Sequence, residues 1–233
     1  VVSLDIETES DDGFPDIATA NKAVIAITVR KKGKSIVLGC NDYTPKDDSV
    51  TYIKCENERQ LLDKFIQVWR SKEFSPDVLT GWNVEFFDIP YLVNRIKREL
   101  GDIYAKKLSP WGFLTKRKVT IVGREHEVYD PAGITILDYM QLYRKFTFVM
   151  QESYKLDHIA FVELGERKID YSDEYDSLHD LYEKNYELFI DYNIKDVVLV
   201  DRLEEKLKLI EQVYALAYDG KVNYQDTFTS VRM

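Results

Sequence analysis

Cysteine is almost absent: Cys40 and Cys55 are the only two in 233 residues, and they lack the close spacing of a zinc site or a redox pair. The sequence therefore has no disulfide framework, and both thiols read as core or strand-edge residues. Histidine is equally sparse. His126, His158 and His179 are scattered, without ligand-like spacing, and read as surface or partly buried structural residues. No apolar run approaches the ~18 residues that a membrane span needs, and no secretory leader is expected, since Val1-Val2-Ser3-Leu4 leads straight into a strand. Internal repeats and low-complexity stretches are missing as well. The first residue is Val1 rather than Met, and a strand-like segment begins at once. The expectation is a single domain spanning residues 1–233, excised from a longer polypeptide.

What the chain does have is enough apolar matter for a large core, at 45% hydrophobic residues. Its formal net charge is −9, which taken alone argues against a polyanionic partner. The charges are unevenly spread. Six cations and no carboxylate fall between Tyr104 and Arg124, namely Lys106, Lys107, Lys116, Arg117, Lys118 and Arg124. Lys31, Lys32 and Lys34 form a smaller cluster, and the acidic excess lies largely between Glu163 and Glu211.

Strand and helix signals come in order. Val1–Ile6 reads as an embedded strand. Val24–Arg30 and Ser35–Cys40 are β-branched runs joined by Lys31-Lys32-Gly33-Lys34, a hairpin signature. Thr51–Lys54 is a further short strand. Asn57 is placed to cap a helix whose Leu61, Leu62, Phe65, Ile66 and Trp69 recur at helical spacing. Val78–Thr80 predicts a strand ending at Gly81, and Ile89–Leu100 a helix stopped by Gly101. Lys118–Val122 and Glu125–Tyr129 flank Gly123-Arg124 as a second hairpin. After a strand at Ile134–Leu137, helices are expected over Tyr139–Phe146, Leu156–Leu164 and a long stretch from about Asp176 to Tyr218. Strands first, then strand and helix alternating, imply an α/β fold with a mixed sheet flanked by helices.

Three short segments carry the chemistry. Asp5 and Glu7 sit two apart on the first strand, so both side chains leave one face. A solvated strand end would explain such a pair, but Val2, Leu4 and Ile6 alternate with it and mark the strand as embedded. Buried paired carboxylates repel and lose hydration, and a cation relieves both costs. The second segment is Gly81-Trp82-Asn83-Val84-Glu85-Phe86-Phe87-Asp88, running on through Pro90, Tyr91, Leu92 and Arg95. Asp88 also suits a helix N-terminus, with Pro90 just inside. The third is Tyr192-Asn193-Ile194-Lys195-Asp196, where a helix would bring Tyr192 and Asp196 to one face. Four carboxylates supply the hard oxygen donors that Mg²⁺ and Mn²⁺ prefer.

These segments, in this order, resemble those of the 3′→5′ proofreading exonuclease domain of family B DNA polymerases, in the tyrosine branch of the DEDD superfamily. Tryptophan at Trp82 is the variant familiar from T-even-like phages. Asp191 stands where the histidine branch carries its histidine. The likeness extends to Asp11–Pro15, to Ile134–Phe146 and, more loosely, to Ser153–Asp157, so it covers nearly the whole chain. No polymerase motif is found in these residues, and the expectation is a piece that does not include the usual N-terminal domain. Tyr224-Gln225-Asp226-Thr227-Phe228 only mimics a paired-aspartate motif, with Phe228 replacing the second carboxylate.

The resemblance implies an RNase H-like mixed sheet with an inserted β-hairpin, and a magnesium- or manganese-dependent nuclease using two divalent cations. Asp5, Glu7 and Asp196 would hold the cation that activates water, and Asp5 with Asp88 the second one. Tyr192 would orient the attacking water alongside Glu7. Phe14 would stack on the 3′-terminal nucleotide, and Asn83 and Phe87 would flank the strand. Lys116, Arg117, Lys118 and Arg124 are candidates for attracting DNA, and the hairpin for parting primer from template. The implied partners are a single-stranded or frayed primer terminus, the parent's polymerase domain and, through the parent, a sliding clamp. No membrane is implied, and a phage-encoded copy would work in the cytoplasm of an infected bacterium. Two alternatives stay open: a DNA-end-binding or switching module with weak catalysis of its own, and an RNA-trimming exonuclease of the same superfamily.

Overall fold

The computed structural model describes residues 1–10, 13, 15–121 and 123–228. Phe14 and the side chain of Arg124 lie outside the described residues. In chain order the elements are β1 (Val2–Thr8), β2 (Val24–Lys31), β3 (Lys34–Gly39), β4 (Val50–Lys54), α1 (Glu58–Trp69), β5 (Val78–Thr80), α2 (Asp88–Glu99) and α3 (Asp102–Lys106). There follow β6 (Leu114–Ile121), β7 (Arg124–Pro131), β8 (Thr135–Ile136), α4 (Tyr139–Phe146), α5 (Leu156–Leu164), α6 (Leu178–Lys184), α7 (Tyr186–Leu207) and α8 (Leu209–Gly220).

Six strands form one mixed sheet in the order β4-β3-β2-β1-β5-β8. The β1–β2 and β2–β3 pairs are antiparallel, and the remaining pairs parallel. This is the mixed sheet expected of an RNase H-like fold, and the β6–β7 hairpin stands apart as a second sheet. Alternation along β1 sorts its side chains. Val2, Leu4 and Ile6 join a core with Leu61, Leu62 and Phe65 of α1 and Tyr91, Leu92 and Ile96 of α2. Ser3, Asp5 and Glu7 face the other way, where Asp201 of α7 accepts the Ser3 hydroxyl at 2.7 Å. Helix α7 follows β2 on that face too: Phe189 and Ile190 pack with Ala26 and Val37, and Arg30 Nε donates to Asp201 at 2.8 Å. Among the described residues no helix is long and apolar enough to cross a membrane.

Three local differences from the sequence reading have physical causes. The helical stretch near Asp176–Tyr218 is three helices. Asn185 closes α6 with non-helical backbone (φ −145°, ψ 73°) and caps α7 by accepting from Leu188 N, while Lys208 turns left-handed at φ 56° and separates α7 from α8. The second hairpin is longer than expected, and its turn is shifted by one residue, because Arg124 pairs with Ile121 inside the ladder. The strand expected at Ile134–Leu137 shortens to Thr135–Ile136, since Leu137 leads into Asp138, whose carboxylate caps α4 by accepting from Gln141 N.

Candidate active site

The site lies where β1, β5, α2 and α7 meet. Strand β5 ends at Gly81, which must be small there: a Cβ would fall 2.5 Å from the Leu4 carbonyl oxygen and 3.1 Å from Val84 Cβ. Close passage over β1 brings the next segment to the carboxylate face. Asn83 adopts φ 65°, a left-handed conformation that asparagine tolerates better than most residues. Its carbonyl accepts from Phe86 N and Phe87 N, folding the segment into a tight turn. Asp138 ties down the turn from outside by accepting Glu85 N at 3.0 Å. Asp88 then begins α2, and its Oδ1 accepts the Ile6 N–H at 3.1 Å. Its carboxylate thus holds the helix start against β1, beyond the last β5 residue.

Asp5, Glu7 and Asp196 converge, each offering an oxygen within 4.8 Å of the others. Asp88 lies beside this group without belonging to it. Burial, then the carboxylates of Asp196, Asp88 and Glu7, push Asp5 well above the usual carboxylate range. Burial and Asp196 raise Glu7 to about 8. Burial raises Asp88 to about 7 against the backbone hydrogen bonds it accepts. Asp196 rises only to about 6, because Lys168 opposes the effect of burial. Among the described residues, Asp196 Oδ1 is buried with no hydrogen-bond partner. A buried carboxylate oxygen without a donor is costly. An all-oxygen donor set with one orphaned lone-pair site fits a hard divalent cation.

Tyr192 and Asp196 do share one face of α7, and a residue that the sequence reading missed joins them. Lys168 Nζ lies 2.5 Å from Asp196 Oδ2, donates to the Tyr192 hydroxyl at 2.7 Å and sits over its ring at 4.4 Å. Burial works against its charge, but Asp196, Tyr192 and Glu7 keep the ammonium pKa above its ordinary value. Tyr192 is raised too, chiefly by burial, so the phenol stays protonated near neutrality. Lys168 belongs to the irregular segment between α5 and α6, where Asp157 accepts from the Lys168 backbone N–H at 2.9 Å and from Arg167. No spacing in the sequence marks it out. Asn193, quoted only as motif context, is fully buried and donates to Asp5 Oδ2 at 2.7 Å. Its i, i+3 relation to Asp196 is the signal that could have found it.

A cavity of about 500 Å³ opens on this group, walled by Trp82, Asn83, Met140, Tyr154, Lys168 and Tyr192. Trp82 Nε1 donates to the Tyr154 carbonyl and closes one side. Asn83 is therefore at the cavity, whereas Phe87 stacks on Tyr91 at 5.7 Å and packs against the core. Asp191, at the histidine-branch position, accepts from Tyr43 and Lys46 instead.

The hairpin cations are in a different state from the one their sequence cluster implies. The antiparallel partner strand supplies carboxylates: Lys116 meets Glu127 at 2.7 Å and Lys118 meets Glu125 at 3.0 Å. Arg117 forks to Asp130 at 2.6 Å and to Glu85 of the Asn83 turn at 2.5 Å. Lys106 pairs with Asp102. The Lys31–Lys34 turn lies past the amino-terminal end of β1, away from Glu7.

Comparison with known proteins agrees with this geometry. Residues 1–159 match the family described as DNA polymerase family B, exonuclease domain. The DNA-directed DNA polymerase of Escherichia phage RB69 is 33% identical over an alignment covering 100% of this chain and 28% of that protein. That of Enterobacteria phage T4 is 33% identical over 82% of this chain and 21% of its own length. The DNA polymerase delta catalytic subunit of Caenorhabditis elegans is 28% identical over 90% of the chain and 20% of its own length. The chain thus spans between 20% and 28% of the length of these relatives. With its mixed sheet and convergent carboxylates, it belongs to the exonuclease-domain family of the family B DNA polymerases.

Proposed function

We propose that this chain is a single 3′→5′ exodeoxyribonuclease domain that removes mononucleotides from a single-stranded or frayed primer terminus, as the proofreading part of a replicative polymerase. The observation that carries the reading is the convergence of Asp5, Glu7 and Asp196 around an unpartnered buried carboxylate oxygen. Asp5, Glu7 and Asp196 would hold one Mg²⁺ or Mn²⁺, and Asp5 with Asp88 a second. Bound cations neutralise the crowded carboxylates, acidify water and stabilise both attacking and leaving oxygens of an in-line displacement.

The chain's own groups do the rest. Tyr192 keeps its phenolic proton and orients the attacking water alongside Glu7. Lys168, a persistent cation beside Asp196 and Tyr192, can receive a non-bridging phosphate oxygen as the substrate enters. Asn83 borders the cavity and would contact the terminal nucleotides, with Phe87 behind it. Phe14 would stack on a base, contributing about 1–3 kcal/mol irrespective of sequence. That tolerance suits removal of any misinserted nucleotide. The hairpin would help to part primer from template. The remainder of a polymerase chain, and a sliding clamp through it, are the expected partners, and a phage-encoded copy would work in the cytoplasm of the infected bacterium.

The test is digestion of a 5′-labelled single strand with Mg²⁺. Stepwise shortening by one nucleotide, abolished by EDTA, is expected. Binding without shortening would favour an end-binding module, and faster shortening of RNA than of DNA would favour RNA trimming.

A further inference from the structure

Asn193 is a neutral side chain that bridges β2 to a carboxylate of β1. Its Nδ2 donates to Asp5 Oδ2 at 2.7 Å. Its Oδ1 accepts from Thr28 Oγ1 at 2.5 Å. Both Thr28 and Asn193 are fully buried. Thr28 is the register partner of Asp5 across the β1–β2 ladder, so the hydroxyl and the carboxylate leave the same face of the sheet.

This arrangement is directional. An asparagine amide can sit either way round, and a hydroxyl can bond either end of it. The ionised Asp5 carboxylate, which only accepts, selects the orientation, and Thr28 anchors the oxygen end. With Oδ1 held by β2, Nδ2 faces Asp5 on β1. The flipped amide would set its oxygen against the ionised Asp5, the form that binds a cation, and leave it without this donor, in a place where an unpaired buried charge costs several kcal/mol. The residue type matters as much as the direction. A lysine here would put a positive charge where a cation is needed, and an aspartate would add a further carboxylate to a group that already repels itself. A neutral donor takes up one side of Asp5 Oδ2 and leaves the remaining lone pairs free.

We propose that Asn193, anchored by Thr28, is a positioning residue that holds the Asp5 carboxylate in the cation-binding orientation. Strand β2, which supplies no carboxylate to the site, thereby sets the geometry of β1. The inference rests on the proposed nuclease reading for its kinetic consequence, but not for its metal-binding one.

The experiment uses the whole chain and its variants Asn193→Ala, Asn193→Asp, Thr28→Val and Thr28→Ser. Mn²⁺ binding is followed by the loss of the free-ion paramagnetic resonance signal. In parallel, kcat and KM are measured on a 5′-labelled single strand. Loss of a residue that orients a metal ligand typically costs about 10–100-fold in metal affinity or activity. Asn193→Ala is expected to weaken Mn²⁺ binding by that order and to lower kcat while leaving KM for DNA near the wild-type value. Thr28→Val, which keeps the shape and loses the hydroxyl, is expected to move both in the same direction by less, and Thr28→Ser to restore them. A circular-dichroism melt identifies variants that fail to fold, and if Asn193→Ala is one, the Thr28 pair decides the matter. Wild-type Mn²⁺ affinity and kcat in folded Asn193→Ala, or in Thr28→Val should Asn193→Ala not fold, would overturn the proposal. If wild-type protein binds Mn²⁺ and Asn193→Ala weakens that binding, yet neither cuts DNA, the nuclease reading fails and the positioning role stands. If it cuts DNA and Asn193→Ala is indifferent, the converse holds.

Discussion

The carboxylate centre on β1 and α7 and the β6–β7 hairpin are both dense in charge, and they treat it in opposite ways. In the hairpin, every cation of the Lys116–Lys118 run has a carboxylate within 3.0 Å, supplied by the partner strand or by Glu85. At the centre, three carboxylates lie within 4.8 Å of one another, and the nearest ammonium, Lys168, pairs with only one of them. A ladder exposed to solvent relaxes toward paired charges at little cost. A largely buried cluster of one sign must either hold protons or be completed by a cation from outside the apo chain. Charge density alone does not mark a function; uncompensated, buried charge does.

The largest effect should come from the centre. Asp196→Asn and Asp5→Asn are expected to lower Mg²⁺-dependent nuclease turnover by more than ~100-fold, beyond what loss of a merely supporting partner costs, with a near-wild-type circular-dichroism spectrum. Wild-type rates in protein from a nuclease-null host would withdraw the assignment of that residue.

Next comes the pH dependence of stability without metal. Glu7 is raised from an ordinary 4.5 to about 8, so the folded state holds its proton more tightly than the unfolded chain. Stability of the metal-free protein should therefore fall as pH rises from about 4.5 to about 8, the reverse of an ion-paired carboxylate. Glu7→Gln removes that charge and should stabilise the EDTA-treated protein at pH 8 by roughly 1–4 kcal/mol. The gain should vanish near pH 4.5. A gain equal at both pH values would mean that Glu7 is not under charge repulsion.

Tyr192→Phe should be milder, because the carboxylates remain and one hydroxyl is lost. A fall in kcat of about 10-fold, the worth of a single hydrogen bond, is expected in single-turnover assays. An effect as large as that of Asp196→Asn would give the phenol a part in the chemistry itself.

The smallest effect should come from the hairpin. Replacing Lys116, Arg117 and Lys118 by Ala removes three cations already paired with carboxylates. The slope of log affinity against log salt, measured with an oligonucleotide in Ca²⁺, should change by less than the roughly 0.7 per charge that free cations contribute on a single strand. A full change of about 2 would show that the pairs open to meet DNA.

Much of this was readable beforehand, for particular reasons. Alternation of Val2, Leu4 and Ile6 with Asp5 and Glu7 fixes which face of β1 each occupies, and the i, i+4 spacing does the same for Tyr192 and Asp196. Asn57 caps α1 by accepting from Gln60 N as its position suggests. Lys32 and Gly33, both at positive φ, make the β2–β3 turn where the sequence puts it. What was not readable depends on contacts between distant segments. Lys168 reaches the centre only because Asp157 folds an irregular segment back. The neutralisation of the hairpin depends on a cross-strand register that also shifted the turn. The exceptions are the breaks at Asn185 and Lys208, made locally by a side-chain cap on Leu188 N and by left-handed backbone, which hydrophobic periodicity does not report.

The central claim is that the Asp5, Glu7 and Asp196 cluster is incomplete without a cation. Thermal unfolding at pH 8, with and without Mn²⁺, tests it most directly. Wild-type protein should melt at a clearly higher temperature with Mn²⁺ than in EDTA, and an Asp5→Asn, Glu7→Gln double variant, which keeps the Lys168–Asp196 pair, should lose that difference while melting above the wild type in EDTA. An unchanged wild-type midpoint on adding Mn²⁺, or the same rise in the double variant, would contradict the account.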